Sequence, residues 1–453
     1  MIRVLIPSGA LGLGYDKAAL ERAIEAKPDI IAIDGGSTDS GPSYLGRGVS
    51  KYSRASTKIE WKGLMQARAD AGVPLVIGTA GTCGTDSAVD WLLKMTLEIA
   101  DELGQNIKIA VLRSSQPAER VIDAMETGKL HPLAAAPEIS RKRIGDFTNI
   151  VALAGAEQIA SAIDTGADII IAGRTTDTAI IAALPLMRGY HAGAAWHGAK
   201  IGECGALCAT NPQSGVILID YEGDAFTITP MADGANASPH TVSAHMLYEN
   251  SDPFILYEPG GNLDVTEAQY VSVDQKSVRV TGAKWVPSER YTVKLEAARI
   301  AGYQAVLFVL LRNQHYVQNA RQWADDIVER CCAKVCARLD IASDLFSIEL
   351  RVIGSDASFG KLETRHQTPT EVGVMGIVTA QSEDLAMEIG KILNPYLLHH
   401  PLTQEEEQPT FAFPFSPAEI NIGAVYEFCI NHVMELDDPM DAFTLETIEV
   451  DNG

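Results

Sequence analysis

The chain has 453 residues, of which 46% are hydrophobic, and a formal net charge of −23. That length is too great for a single compact core and predicts at least two domains, each with enough apolar material to close. The acidity argues against nucleic acid and anionic membrane surfaces as partners, since both would repel it.

Six short apolar runs occur early in the chain, at residues 4–6, 30–33, 75–77, 107–111, 150–153 and 169–171. Each is β-branched or aliphatic and too short for a helix, so each is predicted to be a buried strand. Helices are predicted between them over 16–26, 58–71, 87–103, 117–127, 157–164 and 178–187, with Asp86 and Asp177 as candidate caps. Alternating strand and helix implies a Rossmann-like parallel sheet covered on both faces, and such sheets bind ligands outside the carboxyl ends of their strands. Segment 129–145, with Pro132, Pro137 and Arg141-Lys142-Arg143, breaks the rhythm and is predicted to be a surface excursion.

The rhythm changes after residue 215. Strands are expected at 216–219 and 226–229, joined by a turn at Glu222-Gly223-Asp224, and again at 277–280. A β-α-β-β-α order follows: strand 305–311, helix 317–339, strands 346–352 and 372–379, helix 382–397. This predicts an α+β domain with a ferredoxin-like split βαβ unit. The expected domains are therefore 1–215, carrying the site, and 216–453, serving in oligomerisation or as a lid. The acidic tail after Leu436 is expected to be weakly ordered.

The seven cysteines show no framework spacing, which suits a reducing compartment. The amino terminus runs straight into a strand without a signal-peptide layout, and no apolar run approaches a membrane span. A soluble cytoplasmic protein is expected.

The strand ends carry the candidate chemistry. Gly9, Gly12 and Gly14 precede Asp34, but their order departs from the dinucleotide fingerprint, so a wide loop at the crevice rim is expected. Residues 34–41 hold two carboxylates, three hydroxyls and three glycines. Asp34 and Asp39 are candidate acid/base groups, and Gly35, Gly36, Ser37 and Thr38 candidate substrate contacts, against the plainer reading of a long turn. The loop 78–84 lacks the Gly-Lys-Ser/Thr end of a P-loop. Its Gly78, Gly81 and Thr82 are candidate anion-binding positions at a helix start, where Cys83 would have a lowered thiol pKa and act as nucleophile or acid; a small buried cysteine is the equal alternative.

Arg174 follows a run of isoleucines and needs an anionic partner, which is Asp177, Asp34 or a substrate carboxylate; Thr175 stands beside it. Glu203 and Cys204 place an acid next to a thiol. With His191, His197 and Cys208 they match no strong zinc spacing, so no metal and no cofactor is expected. His240 and His245 are expected to cap or pack, and His399-His400 to end a helix.

Several strings together resemble the acyclic terpene utilisation family of AtuA type: Asp34-Gly-Gly-Ser-Thr-Asp-Ser-Gly-Pro42, Gly173-Arg-Thr-Thr-Asp177, Glu203-Cys-Gly-Ala206, Ala244-His-Met-Leu-Tyr-Glu249, Glu371-Val-Gly-Val374 and Phe413-Pro-Phe-Ser-Pro417. The resemblance runs from about residue 30 to 436. It implies a place in catabolism like that of the pathway naming the family, which degrades citronellol and geraniol through CoA thioesters. It also implies an oligomer, with a small companion subunit as a further partner. This chain has Thr79-Ala80-Gly81-Thr82 where the founding type has Asn-Ala-Gly-Gly. The residues and the resemblance together predict a lyase or isomerase (hydration, elimination or proton transfer) acting on a small carboxylic acid or acyl-CoA. The alternatives are a cysteine-dependent hydrolase or acyltransferase and a non-catalytic subunit of a catabolic complex.

Overall fold

The computed structural model describes residues 1–365 and 369–452. The chain is mixed α/β, with large sheets that combine parallel and antiparallel strands, and it divides into two units: Met1–Arg299 with Phe428–Gly453, and Ile300–Glu427. Among the described residues no helix is long and apolar enough to cross a membrane.

The first unit is built on a ten-stranded sheet. Its centre is five parallel strands: β1 (Ile2–Ile6), β2 (Ile30–Asp34), β3 (Leu75–Gly78), β4 (Ile107–Arg113) and, after a strand of a different sheet, β6 (Ile169–Ala172). They lie in the order β1-β2-β3-β6-β4. Side chains alternate across the two faces, and both faces are buried. Val4, Ile6, Ile30, Ala32, Val76 and Ile170 enter one core, while Leu5, Ile31, Ile33, Ile77, Ile169 and Ile171 enter the other. This two-sided burial explains why the sequence shows unbroken apolar runs rather than polar alternation.

Helices α1 (Lys17–Glu25), α2 (Arg54–Ala71) and α3 (Asp86–Leu103) cover the second face through Leu20, Trp61, Leu64, Leu92 and Met95. Helices α4 (Ala118–Glu126), α5 (Ala156–Asp164), α6 (Ala179–Met187) and α7 (Ala192–Gly202) cover the first. Two expected caps shift by one residue. Thr85, not Asp86, caps α3 by accepting from the Ala88 amide, and α6 starts at Thr178 without a side-chain cap. Asp177 is drawn instead to Arg174.

Three expectations change. The run at 150–153 forms β5 (Asn149–Ala152), but it lies outside the parallel sheet and pairs antiparallel with the start of a long strand at Leu295–Ala298. Next, the boundary expected at 215 falls inside the first unit. Strand β7 (Ile217–Glu222) pairs antiparallel with β1, β8 (Ala225–Pro230) pairs with β7, and β9 (Val278–Thr281) pairs with β8. A turn rich in Pro and Gly marks a change of strand direction here, not a change of core. Finally, the acidic tail is ordered: its last strand, Thr444–Val450, pairs along the whole length of β4. Leu445, Ile448 and Val450 pack on the two cores, and this outweighs the local charge.

Strand β10 (Tyr291–Leu311) gives its first part to the first unit, where Tyr291–Leu295 pairs with Leu436–His432. Its later part belongs to the second unit and pairs with β12 (Val372–Ala380), which pairs in turn with β11 (Phe346–Ile353). Here burial alternates along Phe346–Ile353, and one sheet face is covered by α8 (Ala320–Leu339) and α9 (Glu383–His399) around Trp323, Ile327, Ile389 and Leu393. Ser382 caps α9 at the Leu385 amide.

Candidate functional site

Because β1, β2, β3 and β6 run parallel, the loops that follow them leave the sheet at the same edge. Asp34 is the last residue of β2. Behind it, Gly35 donates its amide to the Gly78 carbonyl at 2.8 Å, and a Cβ at Gly35 would lie 2.3 Å from the Thr79 carbonyl oxygen, so only glycine fits. Asp34 Oδ2 accepts from the Gly36 amide at 3.1 Å. Its Oδ1 is buried and has no partner among the described residues.

Arg174 follows β6 and is buried, its side chain 8% exposed. Nε donates to Glu296 Oε2 at 3.0 Å and Nη2 to Oε1 at 3.2 Å, a bidentate pair. Nη1 donates to Thr79 Oγ1, the Thr175 carbonyl and Asp177 Oδ1 at 3.1, 3.0 and 3.4 Å. The Thr38 hydroxyl also donates to Glu296, at 3.2 Å. Gly84, at φ +64°, holds the backbone in place: a Cβ there would sit 2.2 Å from the Arg174 nitrogen. Arg174 is therefore an internal clamp joining the loops after β3 and β6 to the long strand at Glu296, and a substrate carboxylate would have to compete with two carboxylates already in contact.

A cavity of about 700 Å³ opens at this edge. It is lined by Ser8, Gly9, Ala10 and Gly14 after β1, by Asp34, Gly36, Ser37 and Asp39 after β2, and by Lys51, Tyr52, Asp177, Cys204, Tyr248 and Glu249. The expected residues Asp34, Asp39, Asp177 and Cys204 thus meet, with Gly36 and Ser37; Asp39 accepts from the Ser37 hydroxyl at 2.5 Å. Gly35, Thr38 and Thr175 lie behind them and shape the wall.

The loop 78–84 does not join them. Its residues are buried, and the amides of Thr79, Thr82 and Gly84 are spent on the carbonyls of Gly173, Thr79 and Ala80. Gly78 makes room for Thr175 Oγ1, and Gly81 for the Ala88 methyl. The Thr82 hydroxyl accepts from the Lys51 amide. Gly78, Gly81 and Thr82 are therefore buried in the packing of the fold and are not among the residues lining the cavity. Cys83 is fully buried, and burial pushes its thiol pKa up, overriding the helix start that was expected to lower it.

Burial dominates the electrostatics. Asp34 is pushed well above the ordinary carboxylate range, first by desolvation and then by the charge of Asp177; Arg174 only partly offsets this. Asp177 is also raised by burial, but Arg174 restrains it. Glu296 is held down by Arg174 despite its burial. Burial also raises the Cys204 thiol. Glu203 rises to about 8 by burial, opposed by the charge of Lys200, with which it forms a buried ion pair.

Three of these groups are absent from the expected set: Glu296, Lys200 and Glu258. Glu258 is half-buried with its Oε2 out of solvent, receives the Thr178 hydroxyl, and is raised to about 7 by desolvation. The available signal was a lone acid or lysine inside an apolar stretch, as in Leu295-Glu296-Ala297 and Ala199-Lys200-Ile201. The histidines also change places. His191 caps α7 and His197 contacts the Tyr270 hydroxyl, so neither reaches Glu203 and Cys204. His245 does.

Glu258 predicts a pH dependence of stability. A carboxyl whose native pKa lies above its unfolded value binds more protons folded than unfolded. Its contribution is complete below about 4.5 and is lost as the pH rises to about 7. The expected loss is roughly 3 kcal/mol across that window. Denaturant unfolding at pH 5 and pH 7.5 is expected to show a smaller pH slope in Glu258→Gln than in the natural chain.

The architecture is that of an α/β protein with a carboxylate-lined cavity at the carboxyl edge of a parallel sheet. The chain belongs to the acyclic terpene utilisation family: the model for acyclic terpene utilisation family protein AtuA matches residues 52–413. The match takes in Arg174, Asp177, Glu203 and His245, while Asp34–Pro42 precedes it. No curated protein and no solved structure matches the chain significantly.

Proposed function

We propose that the chain is an acid–base enzyme, a lyase or isomerase that moves a proton at a carbon next to a carbonyl in a small carboxylic acid or the acyl part of a thioester. The observation that carries this is the pair Asp34 and Asp177 on one cavity. Burial raises both carboxyls, Asp177 pushes Asp34 further up, and Arg174 restrains both, contacting Asp177 directly, which favours Asp34 as the acid and Asp177 as the base. Asp177 takes the proton from carbon; Asp34 gives its own to the developing oxyanion or to a departing hydroxyl, which leaves as water.

The volume suits a small ligand. Lys51 is the one cation among the lining residues, against Asp34, Asp39, Asp177 and Glu249, so the acyl part of a thioester suits the cavity better than a free carboxylate. The cysteine-hydrolase alternative loses support because burial raises both Cys83 and Cys204.

The finer readings of the fold belong to the same proposal. The first unit's parallel core is read as Rossmann-like. The second unit is read as a ferredoxin-like split βαβ, on the strand order β11-β12-β10 with Ile420–Phe428 beyond β10. A homo-oligomer, with or without a small companion subunit, is proposed on the family resemblance, and a cytoplasmic location on seven cysteines without a disulfide among the described residues.

The test is incubation with hydroxy acids, enoic acids and short acyl-CoAs in deuterated water, read by NMR. Deuterium entering one carbon position, or gain or loss of water, is the expected result. Absence of exchange and of any thermal shift across the set would overturn the proposal.

A further inference from the structure

Glu203 ends α7, and Cys204 follows it at the cavity wall. His245 comes from the turn after the short helix Pro239–Ala244. Sequence separates the histidine from the other two by some forty residues. Even so, a carboxylate oxygen of Glu203, the Cys204 sulfur and a ring nitrogen of His245 all lie within 4.8 Å of one another.

A second observation is independent of that clustering. His245 is only 5% exposed, and its Nε2 is buried without a hydrogen-bond partner among the described residues. Leaving a polar atom so costs free energy unless something fills the place. The ring is also held in orientation by stacking on Tyr248, with centroids 5.4 Å apart and planes 16° apart.

We propose that Glu203, Cys204 and His245 form a divalent metal site, and that its natural occupant is zinc. One sulfur, one imidazole nitrogen and one carboxylate oxygen make a mixed donor set suited to a borderline-soft ion, and not the all-oxygen set of magnesium or calcium. Bond lengths of about 2.0–2.3 Å from a tetrahedral ion draw such ligands to roughly 3.5 Å apart, so binding tightens the cluster by small side-chain movements. On binding, the Cys204 S–H bond breaks, a sulfur–metal bond forms and the proton goes to solvent. One carboxylate and one thiolate then offset two of the three positive charges of the ion and Lys200. Three protein ligands leave a fourth position open, and one of the three, Cys204, lines the cavity. Lys200, paired with Glu203, holds the carboxylate in the metal-free state and steadies it from the side afterwards.

This proposal stands on geometry apart from the acid–base reading, and its test reads binding, not turnover. Metal-free full-length protein is titrated with Zn²⁺ against a chromophoric chelator, and with Co²⁺ for thiolate charge-transfer absorption. One equivalent of Zn²⁺ and a thiolate band are expected. Cys204→Ala and His245→Ala should each lose affinity by more than the roughly 10–100-fold typical of an outer-shell partner. Cys208→Ala and Asp34→Asn should bind as the natural chain does. Equal binding by the Cys204 and His245 variants, or none by the natural chain, overturns the site. Should the variants fail to fold, alkylation of the natural chain decides: Zn²⁺ is expected to protect Cys204 from a thiol reagent, and equal labelling with and without Zn²⁺ refutes the proposal.

Discussion

Replacing Arg174 by methionine is expected to destabilise the chain by about 3–5 kcal/mol, because Glu296 is left buried and Asp177 half-buried without their cation. Methionine keeps much of the volume, so the loss reports charge more than a cavity. The sign of the pH dependence gives a second readout. In the natural chain Arg174 depresses the Glu296 carboxyl, so that group contributes stability above its unfolded pKa and loses it as the pH falls. Without the guanidinium, burial, the largest influence on Glu296, is opposed only by Lys294 and the Thr38 hydroxyl, and the carboxyl rises. The variant is then expected to recover stability on acidification, where the natural chain loses this contribution. Adding Glu296→Gln to Arg174→Met should restore part of the loss, and the double-mutant cycle measures the coupling. Denaturant unfolding at several pH values checks all three. Unchanged stability with weakened ligand binding would instead mark Arg174 as a substrate-binding residue.

The clamp also shows how far the sequence could be read. Arg174 after an isoleucine run demands an anion, and Asp177 was among the partners considered. Glu296, the bidentate partner, was invisible for two reasons. It lies 122 residues away, and its strand follows a stretch rich in Pro, Gly and Asn that masks the onset of β10. The five parallel strands were legible because burial on both faces concentrates apolar residues in them. Three of the antiparallel strands added after residue 215, β7, β8 and β9, were visible one by one. Their membership of the first sheet was not, because pairing is a long-range choice that local composition does not encode. The helix-start reading of Cys83 failed differently: dipole and desolvation act on the same thiol in opposite senses, and burial, which the sequence shows poorly, wins. His245 looked like a capping or packing residue because its two neighbours in space belong to α7 and the residue after it.

Asp34→Asn is expected to lower kcat by roughly 10²–10⁴-fold, the range for removal of a general acid or base, with little change in KM. Asparagine keeps the shape of the carboxyl and its acceptor toward the Gly36 amide, but it has no carboxyl proton to give. Stability should hold or rise slightly, because the native carboxyl is already driven toward its neutral form by burial and by Asp177. That combination separates a chemical role from a structural one. The pH profile adds a sharper distinction. With both carboxyls present, activity needs one proton shared between them and falls on either side of that state. In Asp34→Asn the influences on Asp177 remain: burial, Asp39 and Glu296 raise it, and Arg174 and Lys200 lower it. The acid limb of the residual activity is therefore expected to stay where it is, while the alkaline limb that depends on the Asp34 proton is lost. An unmoved alkaline limb with full kcat would remove Asp34 from the mechanism and leave the cavity to its other acids.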